Sequence, residues 1–291
     1  MHNRQPGYNS EYLKDFLITF SVLWRYRREQ KGISEDKKMK NAILTAKDLC
    51  KSFAHNGGQL HIISNVDMEL FEGDLTVVMG ASGSGKSTLL YALSGMDRAT
   101  SGSIMYGDID IAKAKEKTLA QLRHTDFGFV FQQMHLVSNL TIFENVAVTG
   151  YLNKSVSAKQ TNERVDELLE KMSISHIKNH LPSQVSGGEQ QRCAIARAVI
   201  NKPRLIFADE PTGALNRKNT ADVLDLLTEL NREGQSILMV THDIRAAARA
   251  NRILYLSDGK ILGDLPLPPY REEDIKSREA QINAWLTSLE W

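Results

Sequence analysis

The sequence predicts an α/β domain built on a parallel sheet, and three observations carry that reading. The first is Leu75-Thr76-Val77-Val78-Met79, a short apolar run rich in strand formers. It is followed by Gly80-Ala81-Ser82-Gly83-Ser84-Gly85-Lys86-Ser87-Thr88, then by Leu89 to Leu93 at helical spacing. Strand, glycine-rich turn and helix is the context that a phosphate-binding P-loop requires. The second is that Phe127 to Phe131, Leu205 to Ala208 and the middle of Ser236 to Thr241 are short apolar runs, as expected of strands buried on both faces. The third is that two of these runs end on chemistry, Asp209-Glu210 and His242-Asp243, at the strand ends where ligands bind in open α/β sheets.

The totals fit a globular protein of ordinary composition. In 291 residues, 42% are hydrophobic and 24% charged, so most of the chain should fold. A formal net charge of +1 excludes a whole-protein electrostatic pull on nucleic acid. Cys50 and Cys193 stand far apart, which offers neither zinc spacing nor a disulfide framework and suits a reducing compartment. No apolar run reaches the roughly 18 residues that cross a bilayer, so any action on a membrane is expected to pass through a partner.

Residues 1–42 read as an extension. Leu13, Phe16, Leu17, Phe20, Leu23 and Trp24 share one helical face, and Arg25-Tyr26-Arg27-Arg28 follows. The charge lies after the apolar run, so this is not a secretory signal. Such a helix would lie on a membrane surface or a partner, or pack on its own domain, or trail as an arm. Ile33 to Asn41 reads as a lysine-rich linker, and Met39 is a sensible alternative start.

The first strands are expected at Asn41 to Ala46 and at Ile62 to Leu70, with a turn at Asn56-Gly57-Gly58 and an end at Glu72-Gly73-Asp74. Phe53 lies between them and would either stack on a flat ligand or pack in the core. In the phosphate loop, glycines let several N–H groups converge on one anion and the following helix start adds positive potential. Lys86 would reach the β- and γ-phosphates, and Ser87 would ligate Mg²⁺.

Further along, Ser101 to Gly107 reads as turn, strand, turn, and Glu116 to Arg123 as a short helix. The strand Phe127–Phe131 ends at Gln132, whose amide would serve a metal or water, or simply be solvated. Thr161 to Met172 is an amphipathic helix with Val165, Leu168, Leu169 and Met172 inward. Leu181-Pro182-Ser183 then breaks the chain. Ser186-Gly187-Gly188-Glu189-Gln190 opens the next helix with a capping-box pattern. Its two glycines cost helix stability but leave bare N–H groups for a second anion. Asp209 would hold Mg²⁺ through water, and Glu210 would polarise the attacking water. His242 would contact a γ-phosphate or be structural. Ile253 to Leu262 reads as a closing hairpin around Asp258-Gly259.

These pieces, in this order, resemble the nucleotide-binding domain of ABC transporters over residues 43 to about 265, with a tail at 266–291. Gly80 to Thr88 matches Walker A, Gln132 the Q-loop, Ser186 to Gln190 the signature motif, and Leu205 to Asp209 Walker B. Glu210 matches the catalytic glutamate, Gly213-Ala214-Leu215-Asn216 the D-loop, His242 the switch histidine and Phe53 the adenine-stacking aromatic. The resemblance implies a RecA-like P-loop NTPase core, an antiparallel β subdomain and a helical subdomain at about 133–200. It implies ATP and Mg²⁺, with Ser87, Gln132 and Asp209 around the metal. It also implies head-to-tail pairing with a second ATPase subunit, as a homodimer, in which Ser186, Gly187, Gly188 and Gln190 of one copy close over the nucleotide of the other.

Gly128 to Gln133, Leu140 to Val146 and Ala208 to Leu215 resemble the ATPases of FtsX-like permeases, of the lipoprotein-release, macrolide-export and peptide-resistance types. The ending Ile282 to Trp291 resembles the peptide-resistance group. The implied place is the cytoplasmic face of the plasma membrane, reached through the permease. The rival readings are a nucleotide-gated regulatory module in cell division and a soluble ATPase acting on nucleic acid or ribosomes. Three features depart from the family pattern: Asn216 for the usual Asp, Phe53 for the usual Tyr, and the extension itself.

Overall fold

The computed structural model describes residues 41–55 and 58–289. The expectations for residues 1–40, for Asn56 and Gly57 of the first turn, and for Glu290 and Trp291 lie outside the described residues. The chain divides into Met1–Asn41 and Ala42–Trp291, and the architecture below is that of the second unit.

Two sheets organise it. The strands β1 (Ala42–His55), β2 (Gly58–Phe71), β4 (Ser101–Tyr106) and β5 (Ile109–Asp110) form an antiparallel sheet in the order β2-β1-β4-β5. The strands β3 (Leu75–Met79), β6 (Phe127–Phe131), β7 (Leu205–Asp209), β8 (Ser236–Val240), β9 (Arg252–Ser257) and β10 (Lys260–Pro266) form the second, in the order β10-β9-β3-β8-β7-β6. All of its pairs are parallel except β9 with β10. Every residue of β3, β7 and β8 is buried. That is why these strands carry no polar alternation: both faces are covered. Phe207 anchors the layer, with Phe127 edge-on at 5.1 Å and Phe129 stacked at 5.6 Å.

Eight α-helices are described: α1 (Lys86–Leu93), α2 (Glu116–Thr125), α3 (Ile142–Tyr151), α4 (Ala158–Lys171), α5 (Gly187–Val199), α6 (Arg217–Arg232), α7 (Ile244–Ala247) and α8 (Ile275–Thr287). The segment 133–200 holds α3, α4 and α5 with loops between them. Helix α4 starts three residues before the expected Thr161, because Ser157 and Gln160 form a capping box there. Phe53 falls inside β1 rather than between strands, because β1 runs on to His55 through several bulges. In the tail, α8 buries Ile282 and Leu286 completely.

The parallel register brings three strand ends together, pairing Val78 with Val240 and Asp209 with Val240. The residues just past those ends are the phosphate loop, Glu210 and His242.

Candidate functional site

The phosphate loop is shaped by backbone that only glycine takes easily. Gly83 and Gly85 have φ of +83° and +99°. A Cβ on Gly80 would lie 2.2 Å from the Leu256 carbonyl oxygen, so the close approach of β9 requires glycine there too. Gly85 is the N-cap of α1, makes no side-chain cap, and is followed by no acidic residue in the first turn. The first N–H groups of α1 are left without helical partners, at the positive end of its dipole. Ser84 Oγ is buried without a hydrogen-bond partner, while Ser82 is exposed. Lys86 is 8% exposed, and its Nζ donates to the Gly80 and Ala81 carbonyls at 2.8 and 2.9 Å. Burial pushes this ammonium below the usual lysine range, while Glu210 and Asp209 pull it back up.

Ser87 and Tyr91, one turn apart on α1, both donate to Asp209. Ser87 Oγ reaches Oδ1 at 2.8 Å, and the Tyr91 hydroxyl reaches Oδ2 at 2.6 Å. Burial, then the Asp209 carboxylate, push the Tyr91 phenol above its ordinary value. Tyr91 escaped the sequence reading, although its i+4 spacing from Ser87 was a usable signal. Thr88 follows, half-buried.

Glu210 turns off the end of β7 with φ of +44°, a left-handed conformation rare for a residue with a Cβ. Its N–H donates to the Val240 carbonyl at 3.0 Å, which fixes the turn. The carboxylate is held at both oxygens: Thr241 Oγ1 donates to Oε2 at 3.0 Å and His242 Nδ1 lies 2.9 Å from Oε1. His242 itself is largely exposed. A carboxylate and an imidazole thus sit side by side next to the Ser87–Asp209 pair.

Gln132 packs on the loop after Glu210: a Cβ on Gly213 would lie 2.8 Å from Gln132 Nε2. Among the described residues no hydrogen bond joins Gln132 to Ser87 or Asp209. Phe53 is 43% exposed, so it is not a core residue. Lys51 Nζ lies 4.6 Å from the centre of its ring. Its neighbourhood is set by register, because Lys51 pairs with Ile63, which packs against Gly85.

Residues 63–213 match the family described as ABC transporter. The chain belongs to that family. It is 41% identical to the uncharacterized ABC transporter ATP-binding protein YvrO of Bacillus subtilis over 222 residues, 76% of this chain and 96% of that protein. It is also 41% identical to the macrolide export ATP-binding/permease protein MacB of Bradyrhizobium diazoefficiens over 227 residues. That match takes in 78% of this chain, which spans only 34% of the relative's length. Two solved structures of the ATP-binding cassette MJ0796 resemble it. One is a dimeric bacterial ABC transporter cassette (TM-score 0.73, 36% identity) and the other a dimeric post-hydrolysis state bound to ADP and Pi (TM-score 0.72, 35% identity). Each match covers 78% of this chain and 100% of that one. The fold is that of an ABC ATPase, with its RecA-like core, antiparallel sheet and helical subdomain, and the activity class is ATP hydrolysis.

The signature motif of this ABC cassette forms a complete N-cap. Ser186 Oγ accepts from the Glu189 N–H at 3.4 Å, and Glu189 Oε2 accepts from Ser186 N–H and Oγ at 2.8 and 2.7 Å. These bonds hold the Glu189 carboxyl below its ordinary value. Gln190 Nε2 donates to the Pro182 and Val185 carbonyls at 3.0 and 3.3 Å, bracing the turn that leads into α5. Ser186 and Gly187 are exposed, and among the described residues no hydrogen bond links Ser186, Gly187, Gly188 or Gln190 to the phosphate loop. Two further residues stand out here. Gln191 is fully buried and donates to the Phe131 carbonyl at 3.1 Å, tying α5 to the strand before Gln132. Asn219 of α6 packs against Gly188.

The cradle suits a polyphosphate: bare amides, a buried serine hydroxyl without a partner and a buried lysine converge on one loop. For a divalent ion, one carboxylate and one hydroxyl in contact are available. Among the described residues no group of three or more His, Cys, Asp or Glu is placed to hold a metal. That donor set fits Mg²⁺, which keeps waters and leans on substrate phosphates.

Proposed function

We propose that the chain is the ATP-hydrolysing subunit of a transport complex, working as a head-to-tail homodimer that drives an FtsX-like permease. The observation that carries this reading is the joint grip of Thr241 and His242 on Glu210, beside the Ser87–Asp209 pair and the phosphate loop.

The loop amides of Gly80 to Gly85, with Lys86 and Thr88, bind the phosphates, and the exposed Phe53 stacks on the adenine. Ser87, Asp209 and the amide of Gln132 would hold Mg²⁺ directly or through water, where it would neutralise charge on the β- and γ-phosphate oxygens. Glu210 takes the proton of the attacking water, and His242 orients the carboxylate and the γ-phosphate. Ser186, Gly187, Gly188 and Gln190 present the start of α5 to the nucleotide of the partner. The exposure of Ser186 and Gly187 supports that pairing, as does the dimeric state of the MJ0796 cassettes.

No helix among the described residues is long and apolar enough to cross a membrane. On this reading the chain sits at the cytoplasmic face of the membrane and acts on transport through a transmembrane permease partner. The likeness to MacB, an export protein that joins ATP-binding and permease parts, supports the FtsX-like choice.

Glu210→Gln tests the reading. It should bind ATP, hold the closed dimer on size exclusion and lower turnover by about two to four decades, the range of general base catalysis. Wild-type turnover would remove Glu210 from the role of base.

A further inference from the structure

Residues 266–291 take no part in the chemistry above, yet they bury a full positive charge. Arg278, on α8, is 3% exposed. A buried guanidinium is tolerated only when its donors are matched. Nε donates to the Ala248 carbonyl at 2.5 Å, Nη2 to the Ala250 carbonyl, and Nη1 to the Pro268 carbonyl at 2.8 Å.

Those first two carbonyls belong to the segment that carries His242. Asp243 is the N-cap of α7 and Ala248 its C-cap. A helix of four residues leaves carbonyls at its C-terminal end unsatisfied, and a cation there is doubly favourable. Ala246, Ala247, Ala248 and Ala250 are wholly buried and offer only methyl groups, so at these positions the polar contacts of the segment are made by its backbone.

Arg249, within this segment, ties it to α6: Nη1 donates to Asp225 Oδ1 at 2.5 Å and to Thr228 Oγ1 at 3.2 Å. The Arg249 and Arg278 guanidinium groups share the ring of Tyr270, at 5.4 and 5.7 Å from its centre.

We propose that Arg278 is a positioning residue for His242: the C-terminal helix grips the far end of α7 and thereby sets where the imidazole stands against Glu210. The inference rests on the reading of His242 given under the proposed function. It makes the tail a working part of the ATPase.

The test uses the full chain with Arg278→Gln and Arg278→Lys, each made alone and with His242→Ala. Turnover is measured beside the Kd for a fluorescent ATP analogue and a thermal melt. Arg278→Gln should lower kcat about tenfold, one of the decades that positioned proton transfer supplies, with Kd unchanged. Arg278→Lys, with a charge and three donors, should recover part of the loss. In the His242→Ala background the same substitutions should alter the residual kcat by less than about twofold, because residues acting through one another are not additive.

An equal fold-loss in both backgrounds would overturn the inference, as would unchanged kcat in a folded variant or a loss expressed in Kd. Should the glutamine variant fail to fold, the lysine variant is read by the same criteria. Wild-type kcat in His242→Ala alone would overturn the role of His242, and the inference with it. A loss there with none at Arg278 would overturn the inference alone.

Discussion

Gly187 and Gly188 are neighbours in sequence with opposite surroundings, and substituting each by alanine should separate what the fold needs from what a second subunit needs. A Cβ on Gly187 would meet nothing nearer than Leu215 Cδ2 at 3.8 Å and Met134 Cε at 4.0 Å, which is ordinary contact. Gly187→Ala should therefore leave the isolated chain as stable as before, or more stable by up to about 1 kcal/mol, the helix preference of alanine over glycine. A Cβ on Gly188 would lie 2.5 Å from Asn219 Cγ and 2.7 Å from both atoms of its amide head. Reaching ordinary contact requires the amide to retreat by about 0.9 Å. Overpacking of this kind costs about 1–3 kcal/mol. Asn219→Ala removes the obstacle, so the double variant should regain about 1 kcal/mol or more over Gly188→Ala alone. Urea unfolding of the four chains measures both numbers. The second half of the assay is ATP-driven dimerisation in the Glu210→Gln background. There Gly187→Ala should weaken the dimer about tenfold, because its methyl group blocks the approach of a partner's phosphate to the amide. Two results would refute the reasoning. A loss above about 1 kcal/mol for Gly187→Ala would mean that the space is not open. An undiminished dimer would mean that this glycine is not kept for a partner.

Four further outcomes follow from the same geometry. Ser186→Ala removes the cap of α5 and should cost about 1 kcal/mol in urea unfolding. The Glu189 carboxyl is held below its ordinary 4.5 by the Ser186 O–H and N–H. Its contribution is therefore complete above 4.5 and disappears as pH falls through the lower folded value, and Glu189→Gln should flatten that part of the stability curve. Asn216 Oδ1 accepts from the Asn219 N–H at 3.0 Å, and α6 has no acidic residue in its first turn. Asn216→Asp should thus keep the cap and add about 0.3–1 kcal/mol through the helix dipole, read as a higher melting temperature. Tyr91→Phe removes the hydroxyl from Asp209 Oδ2 and should cost about 1.5–3 kcal/mol, the range for a hydrogen bond to a charged group; a melt without nucleotide checks it.

What could be read from the sequence was whatever one element states about itself. The strands β3, β7 and β8 were legible because burial on both faces demands an apolar run, and β6 because its three phenylalanines alternate along an apolar stretch. The phosphate loop was legible because its glycines, lysine and serine are adjacent. Helix α3 was not read, because Ile142–Tyr151 is apolar on several sides, leaving Val148 and Tyr151 exposed, and shows no single stripe. Its one clear sign was the Thr141 and Glu144 capping box. Helix α7, at four residues, is too short to have a period. The contacts that join distant elements were beyond reach in principle. The helical face shared by Ser87 and Tyr91 can be computed, but not that Asp209 stands opposite it, 122 and 118 residues away. Gln191 and Asn219 are ordinary polar residues until packing buries one completely and sets the other against Gly188. The same limit explains the signature motif. Its capping box closes within the chain and satisfies Ser186 and Glu189, while the first-turn amides of Gly187 and Gly188 have no intrahelical acceptor. On the proposed reading the anion at this second helix start has its other holder on a partner, and the exposure of Ser186 and Gly187 leaves them open to that surface.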